Sequence, residues 1–223
     1  MDFARIAGFF GDPLQDAVDD VVAWWQDPAG APPSVVVDAE WLLPDGKLRY
    51  KTQPYTWPAD LAARPLVIVS ASGGIDSTAA ALLARKKWPS AMMLLLRSDT
   101  GFEPEDSQGI LRRLANKIGA PIITLQPRQT FFDLIRWFRR LPTKQYGHWC
   151  TENLKGMNLD WMGHYLSLLR EPHTTLQVAG ILWGEGPERN KPGKRSKKDR
   201  TTHIKHTAAR FPGGQMVARL VLH

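Results

Sequence analysis

Leu66-Val67-Ile68-Val69-Ser70-Ala71-Ser72-Gly73-Gly74-Ile75-Asp76-Ser77-Thr78 is the stretch that decides the reading of this chain. Its four leading residues are apolar and mostly β-branched, which predicts a short buried strand. They lead through two glycines into Ile75–Lys87, rich in alanine and leucine, which predicts a helix. Glycine lets the backbone turn sharply and approach a ligand closely. The helix start then offers free N–H groups and the positive end of its dipole. Ser72, Ser77 and Thr78 add hydroxyls. Strand, glycine loop and helix in this order form a phosphate cradle. No Gly-Lys-Ser/Thr follows, so the loop is not a Walker A sequence, and Gly193-Lys194-Arg195 is a near match in the wrong setting.

Downstream the same grammar repeats. Ala91–Leu96, Pro121–Leu125 and Leu176–Leu182 predict strands. Glu103–Ile118, Thr130–Leu141 and a stretch from about Thr151 to Leu169 predict helices, with Thr130 and Asp133 spaced as a capping box. The alternation predicts an α/β fold: a doubly wound, open parallel sheet with helices on both faces, Rossmann-like in plan. Ligands of such sheets sit beyond the carboxyl ends of the strands. Residues 1–60 read differently. A helix starts at Asp12-Pro13, with Gln15 at capping-box spacing from Asp12 and Leu14, Ala17, Val18, Val21, Val22 and Trp25 on one buried face. After the breaker run Asp27–Pro33, Ser34–Leu43 and Lys47–Thr52 flank the turn Pro44-Asp45-Gly46 and predict a hairpin. The expected division is an accessory helix and hairpin over 1–60 and a nucleotide-binding α/β domain over 61–223. The apolar run Met216–His223 carries no turn or capping signal and reads as a domain cut short.

Bulk properties narrow the function classes. The chain has 223 residues, 43% hydrophobic and 23% charged, which suits one sizeable globular domain. No apolar run reaches the roughly 18–20 residues of a membrane span, and the N-terminus lacks a signal-peptide layout, so a cytoplasmic protein without membrane contact is expected. The one cysteine, Cys150, excludes an internal disulfide and an iron–sulfur cluster held by four cysteines of one chain. His148, His203 and His206 fit no standard zinc spacing. The net charge of +7 is concentrated: residues 191–205 hold seven Lys/Arg against one acid, Asp199. Such a segment suits nucleic acid or another phosphate-bearing partner; the plainer alternative is a solvated loop.

Ser-Gly-Gly-x-Asp-Ser resembles the PP-loop of the ATP pyrophosphatase, or adenine nucleotide α-hydrolase-like, superfamily. Three further stretches resemble elements of its phosphoadenylyl sulfate reductase family. They are Asp99-Thr100-Gly101, then Cys150-Thr151-Glu152-Asn153-Leu154-Lys155, then Gly180-Ile181-Leu182-Trp183-Gly184-Glu185-Gly186-Pro187-Glu188-Arg189. The resemblance covers about residues 64–190, in family order. The chain departs from the family at Thr151, where cluster-bearing relatives carry a second cysteine. Leu182 stands for an arginine and Gly186 for a serine, and the carboxyl-terminal catalytic cysteine is missing.

The resemblance implies ATP or phosphoadenylyl sulfate as ligand, with Mg²⁺ on the phosphates and Asp76 beside it. Ser70, Ser72, Gly73, Gly74, Ile75, Asp76 and Ser77 would hold the phosphates. Asp99 and Thr100 would sit near the nucleoside, and Gly180 and Glu185 at the fourth strand's end. Lys155 and Arg189 would neutralise phosphate or sulfate. The expected activity is adenylylation of a substrate with release of pyrophosphate. Two alternatives stand beside it. One is a reductase-like protein that binds phosphoadenylyl sulfate. The other is a DNA-associated nucleotide-binding module of a sulfur-based DNA modification system, with residues 191–205 on the nucleic acid and a partner protein.

Overall fold

The computed structural model describes residues 13–39, 55–127, 129–142, 151–170, 175–182, 203–206 and 216–222. The elements are α1 (Pro13–Gln26), β1 (Ser34–Asp38), α2 (Ala59–Ala62), β2 (Leu66–Ser70), α3 (Ile75–Lys87), β3 (Met92–Ser98), α4 (Ser107–Ile118), β4 (Ile122–Gln126) and α5 (Phe131–Phe138). A single π-helical turn, Thr151–Gly156, leads into α6 (Met157–Arg170), followed by β5 (Thr175–Leu182), β6 (His203–His206) and β7 (Met216–Leu222). The strands form one seven-stranded sheet in the order β1-β4-β3-β2-β5-β7-β6. Every neighbouring pair is parallel except β6 with β7.

The sheet is covered on both faces, and strand alternation assigns the layers. Leu66 and Ile68 of β2, with Met92, Leu94 and Leu96 of β3, pack against α1 and α6. Val67 and Val69, with Met93 and Leu95, pack against α3 and α4. Both sets are 0–1% exposed, so these strands are apolar at consecutive positions as doubly covered parallel strands must be. Each such side chain contributes roughly 1.5–3 kcal/mol by leaving water. Ala80, Ala81 and Ala84 bring α3 close to the sheet. The expected helix Ile75–Lys87 and the buried set Leu14, Ala17, Val18, Val21, Val22 and Trp25 match residue for residue. The last apolar run is strand β7, paired in parallel with β5.

Ser34–Asp38 pairs in parallel with Ile122–Gln126, which places it in the main sheet and, among the described strands, at its edge. The rest of the expected hairpin lies outside the described residues. α1 shares the core of that sheet. A half-exposed edge strand alternates as a hairpin strand does, so its local pattern does not reveal its partner. Asp12, Pro44-Asp45-Gly46 and Lys47–Thr52 lie outside the described residues. Gln15 donates to Asp19 at 3.0 Å.

Arg170 locks α6 to the chain that enters β2. It is fully buried, and its guanidinium donates to the carbonyls of Leu61, Ala62 and Arg64 at 3.3, 3.2 and 2.6 Å. It stacks on Trp57 at 4.5 Å. Burial pushes its pKa down to about 10, still charged at neutral pH. Arg170→Met keeps the bulk but removes the guanidinium from three carbonyls, of which Leu61 keeps the Arg64 N–H. Urea unfolding should show a loss of about 2–4 kcal/mol with an unchanged slope.

Candidate functional site

Three strands, β2, β3 and β5, carry the site. β4, β3, β2 and β5 are parallel neighbours, so their carboxyl ends share one edge of the sheet. The chain winds from β2 outward to β3 and β4, then crosses to the other side of β2 to form β5. The gap between β2 and β5 is therefore the switch point at which ligands enter folds of this kind. A cavity of about 290 Å³ lies here, lined by Ser70, Ser72, Gly74, Ile75, Asp76, Ser77, Ser98, Lys155, Leu159 and Ala179 among others.

The glycine loop is shaped from within. Ser77 is buried, and its hydroxyl donates to the Gly74 carbonyl at 3.0 Å while accepting from the Ser72 N–H at 3.2 Å. It therefore braces the loop and also lines the cavity. The Ser72 hydroxyl accepts from the Gly74 N–H at 3.4 Å. Gly74 is the residue that caps α3, and Asp76 sits in its first turn. The N–H groups of that turn have no partner inside the helix, which is what an anion requires.

The two glycines do different work. Gly73 has φ +80°, and a Cβ there would stand 2.8 Å from the backbone oxygen of Ser107. A side chain is thus excluded by the protein itself. At Gly74 an added Cβ meets only the Ser72 hydroxyl, at 3.4 Å, so the side chain would extend into the cavity that the residue lines.

Lys155 reaches the cavity from the π-helical turn before α6, an irregularity often found where a helix serves a site. Its Nζ lies 3.5 Å from Glu103 Oε1, and Glu103 also accepts from the Thr100 hydroxyl at 2.8 Å. Ser98 donates to the Leu154 carbonyl and so ties the end of β3 to the same turn. The loop after β3 supports α5 as well. The Phe131 N–H donates to the Thr100 carbonyl at 2.9 Å. Thr130 and Asp133 form the expected capping box, and the hydrogen bonds from the Thr130 hydroxyl and N–H hold the Asp133 carboxyl below its usual pKa.

The structure brings Ser70, Ser72, Gly74, Ile75, Asp76, Ser77 and Lys155 together. Gly180 follows Ala179 of the cavity wall in β5. Thr100 is buried behind the wall and bonded to Glu103. Asp99 accepts from the Gly101 N–H at 3.1 Å and lines a second cavity, while Ser98 lines the first. Glu185 and Arg189, like Cys150 and residues 191–202, lie outside the described residues. Sequence reasoning missed Ser98 and Glu103 as partners of the Lys155 turn. Among the described residues no group of three or more His, Cys, Asp or Glu is placed to hold a metal ion. No helix among them is long and apolar enough to cross a membrane.

Over 75 residues, 34% of the chain, the sequence is 36% identical to the tRNA-specific 2-thiouridylase MnmA of Desulfosudis oleivorans. The match covers 20% of that protein's own length. No protein-family model matches the chain. The likeness supports the PP-loop ATP pyrophosphatase superfamily and adds nothing in favour of the phosphoadenylyl sulfate reductase family within it.

The contrast between the glycines gives a paired test. Gly74→Val should leave the unfolding free energy within about 1 kcal/mol of the wild type but lower nucleotide affinity at least tenfold by calorimetric titration, whereas Gly73→Ala should lose about 1–3 kcal/mol of stability. Full affinity in Gly74→Val would remove the cradle assignment.

Proposed function

We propose that this chain binds ATP with its phosphates on the Ser72–Ser77 loop and catalyses adenylyl transfer. An acceptor attacks the α-phosphorus, the α–β phosphoanhydride bond breaks, and pyrophosphate leaves with the bonding electrons. The observation that supports this reading best is the 290 Å³ cavity at the switch point, with a glycine-shaped helix start on one side and Lys155 on the other. Little covalent chemistry is asked of the protein; it positions the phosphates and neutralises the charge that builds on the leaving group. The Ile75–Ser77 turn would donate N–H groups to the phosphates. Lys155 would exchange Glu103 for a phosphate oxygen. Asp76 lines the cavity and would sit beside a Mg²⁺ that arrives on the phosphates, its other ligands being phosphate oxygens and water.

The acceptor class we favour is nucleic acid. Two observations support it: a relative whose name states that it acts on tRNA, and the seven Lys/Arg of residues 191–205. The phosphoadenylyl sulfate reading has less behind it, because the likeness to the thiouridylase adds nothing in its favour.

Incubation with ATP and Mg²⁺ should release pyrophosphate, faster when a tRNA fraction is added; the AMP moiety goes to the acceptor, or is released as AMP where water takes the acceptor's place. Lys155→Met should lower the rate on the order of 10²-fold. ADP and orthophosphate as products would place cleavage at the wrong bond and refute the proposal. Binding of single-stranded RNA should weaken with salt by about 0.7 in log affinity per unit of log salt for each phosphate contact. Replacing Lys194, Arg195, Lys197 and Lys198 with alanine should flatten that dependence and leave ATP affinity unchanged, as gel-shift and calorimetric measurements on the one variant will show.

A further inference from the structure

Arg97 is a cation among apolar neighbours. It lies in the run Met-Met-Leu-Leu-Leu-Arg-Ser of β3 and is 4% exposed. Its one hydrogen bond among the described residues runs from Nη2 to the Ser107 hydroxyl, at 3.3 Å. Its Nε is sealed from solvent without a partner, and no described carboxylate lies within ion-pair distance of it. The Nε of Arg170 also lacks a partner, but the other arginines set into this fold have more acceptors around them. Arg85 donates to the carbonyls of Pro89, Ala91, Ile118 and Gly119, and Arg170 to three carbonyls while stacking on Trp57. A buried guanidinium without such acceptors is unfavourable unless an anion joins it.

There is room for one. Arg97 lines a cavity of about 140 Å³ between α4 and the β3-β4-β1 side of the sheet, well above the roughly 10–15 Å³ that a single water needs. Gln108, Thr124 and Arg112 line it with Arg97 and supply an amide, a hydroxyl and a second guanidinium. Its one acid, Asp99, already accepts a hydrogen bond from the Gly101 N–H. This cavity shares no lining residue with the one at the glycine loop.

We infer that this second cavity binds a small oxyanion, a carboxylate, phosphate or sulfate group, with Arg97 as its buried counter-ion. Guanidinium geometry matches such groups with two parallel N–H bonds. The site is separate from the nucleotide loop but touches its support. Ser107 bonds Arg97 through its hydroxyl, and its backbone oxygen is the atom that a side chain at Gly73 would strike. An occupant therefore acts on one side of Ser107 while the loop rests on the other.

The test uses the full chain in a chloride buffer, with the loop blocked by Gly74→Val so that only the second cavity responds. Inorganic phosphate, sulfate and acetate are titrated separately at constant ionic strength while the unfolding midpoint is followed. At least one should raise the midpoint saturably, and adding Arg97→Gln should weaken that response at least tenfold. A response to phosphate or sulfate alone assigns a tetrahedral ligand; a response to acetate alone assigns a carboxylate. In the otherwise wild-type chain, Arg97→Met should be no less stable than wild type in chloride, because it removes an uncompensated charge, and should fall behind when the effective anion is added. The inference is overturned if none of the three anions moves the midpoint or if the response survives Arg97→Gln. It is equally overturned if Arg97→Met is already the less stable protein in chloride, which would make Arg97 a structural residue.

Discussion

Everything in this fold is arranged around the parallel pairing of β2 on both sides. Leu66–Ser70 runs alongside β3 on one side and β5 on the other, in matched register. Neither partner is its hairpin neighbour, so each connection must cross a face of the sheet and deposit a helix there. That requirement covers the sheet on both faces, makes β2 apolar at consecutive positions, and brings the ends of three strands to one place. The cavity is the space left where the chain leaves β2 in one direction and returns on the other. Ser70, Ser98 and Ala179 line it from those three strands.

Much of this was legible in the sequence because it is local. The strand-loop-helix at 66–87, the buried face of α1 and the Thr130–Asp133 cap each depend on residues within a few positions of one another. What was not legible depends on distance along the chain. Ser34–Asp38 shows an edge-strand pattern, but its partner lies 88 residues further on, at Ile122–Gln126. The ion pair of Lys155 with Glu103 joins elements that only the sheet order brings together. Asp99 and Ser98 are adjacent, and strand alternation sends them to different cavities. Arg97 did leave a signal, a charge inside an apolar strand, and the pattern of its neighbours obscured it.

The three arginines set into the fold, Arg85, Arg97 and Arg170, show how one side chain serves different ends. Arg85 and Arg170 act as fasteners. Their fork of donors collects carbonyls at the ends of helices and in the turns that follow them. Those bonds hold α3 to the turn after α4, and α6 to the chain entering β2. Arg97 sits at the site end of the sheet, where a ligand can complete what the protein does not.

The pairing of Lys155 with Glu103 gives the cavity a resident competitor. Glu103 is 12% exposed and Lys155 41%, so the pair is partly screened, and its strength lies nearer the roughly 1 kcal/mol of two charges 4 Å apart in water than the roughly 4 kcal/mol of a drier setting. Any incoming anion must offer the lysine more than this carboxylate does. A lone carboxylate or chloride offers about the same, whereas a chain of phosphates that also engages the helix start offers considerably more. At roughly 1 kcal/mol the pairing is a several-fold handicap for a single anion at Lys155, which a chain of phosphates would overcome more easily than a lone charge.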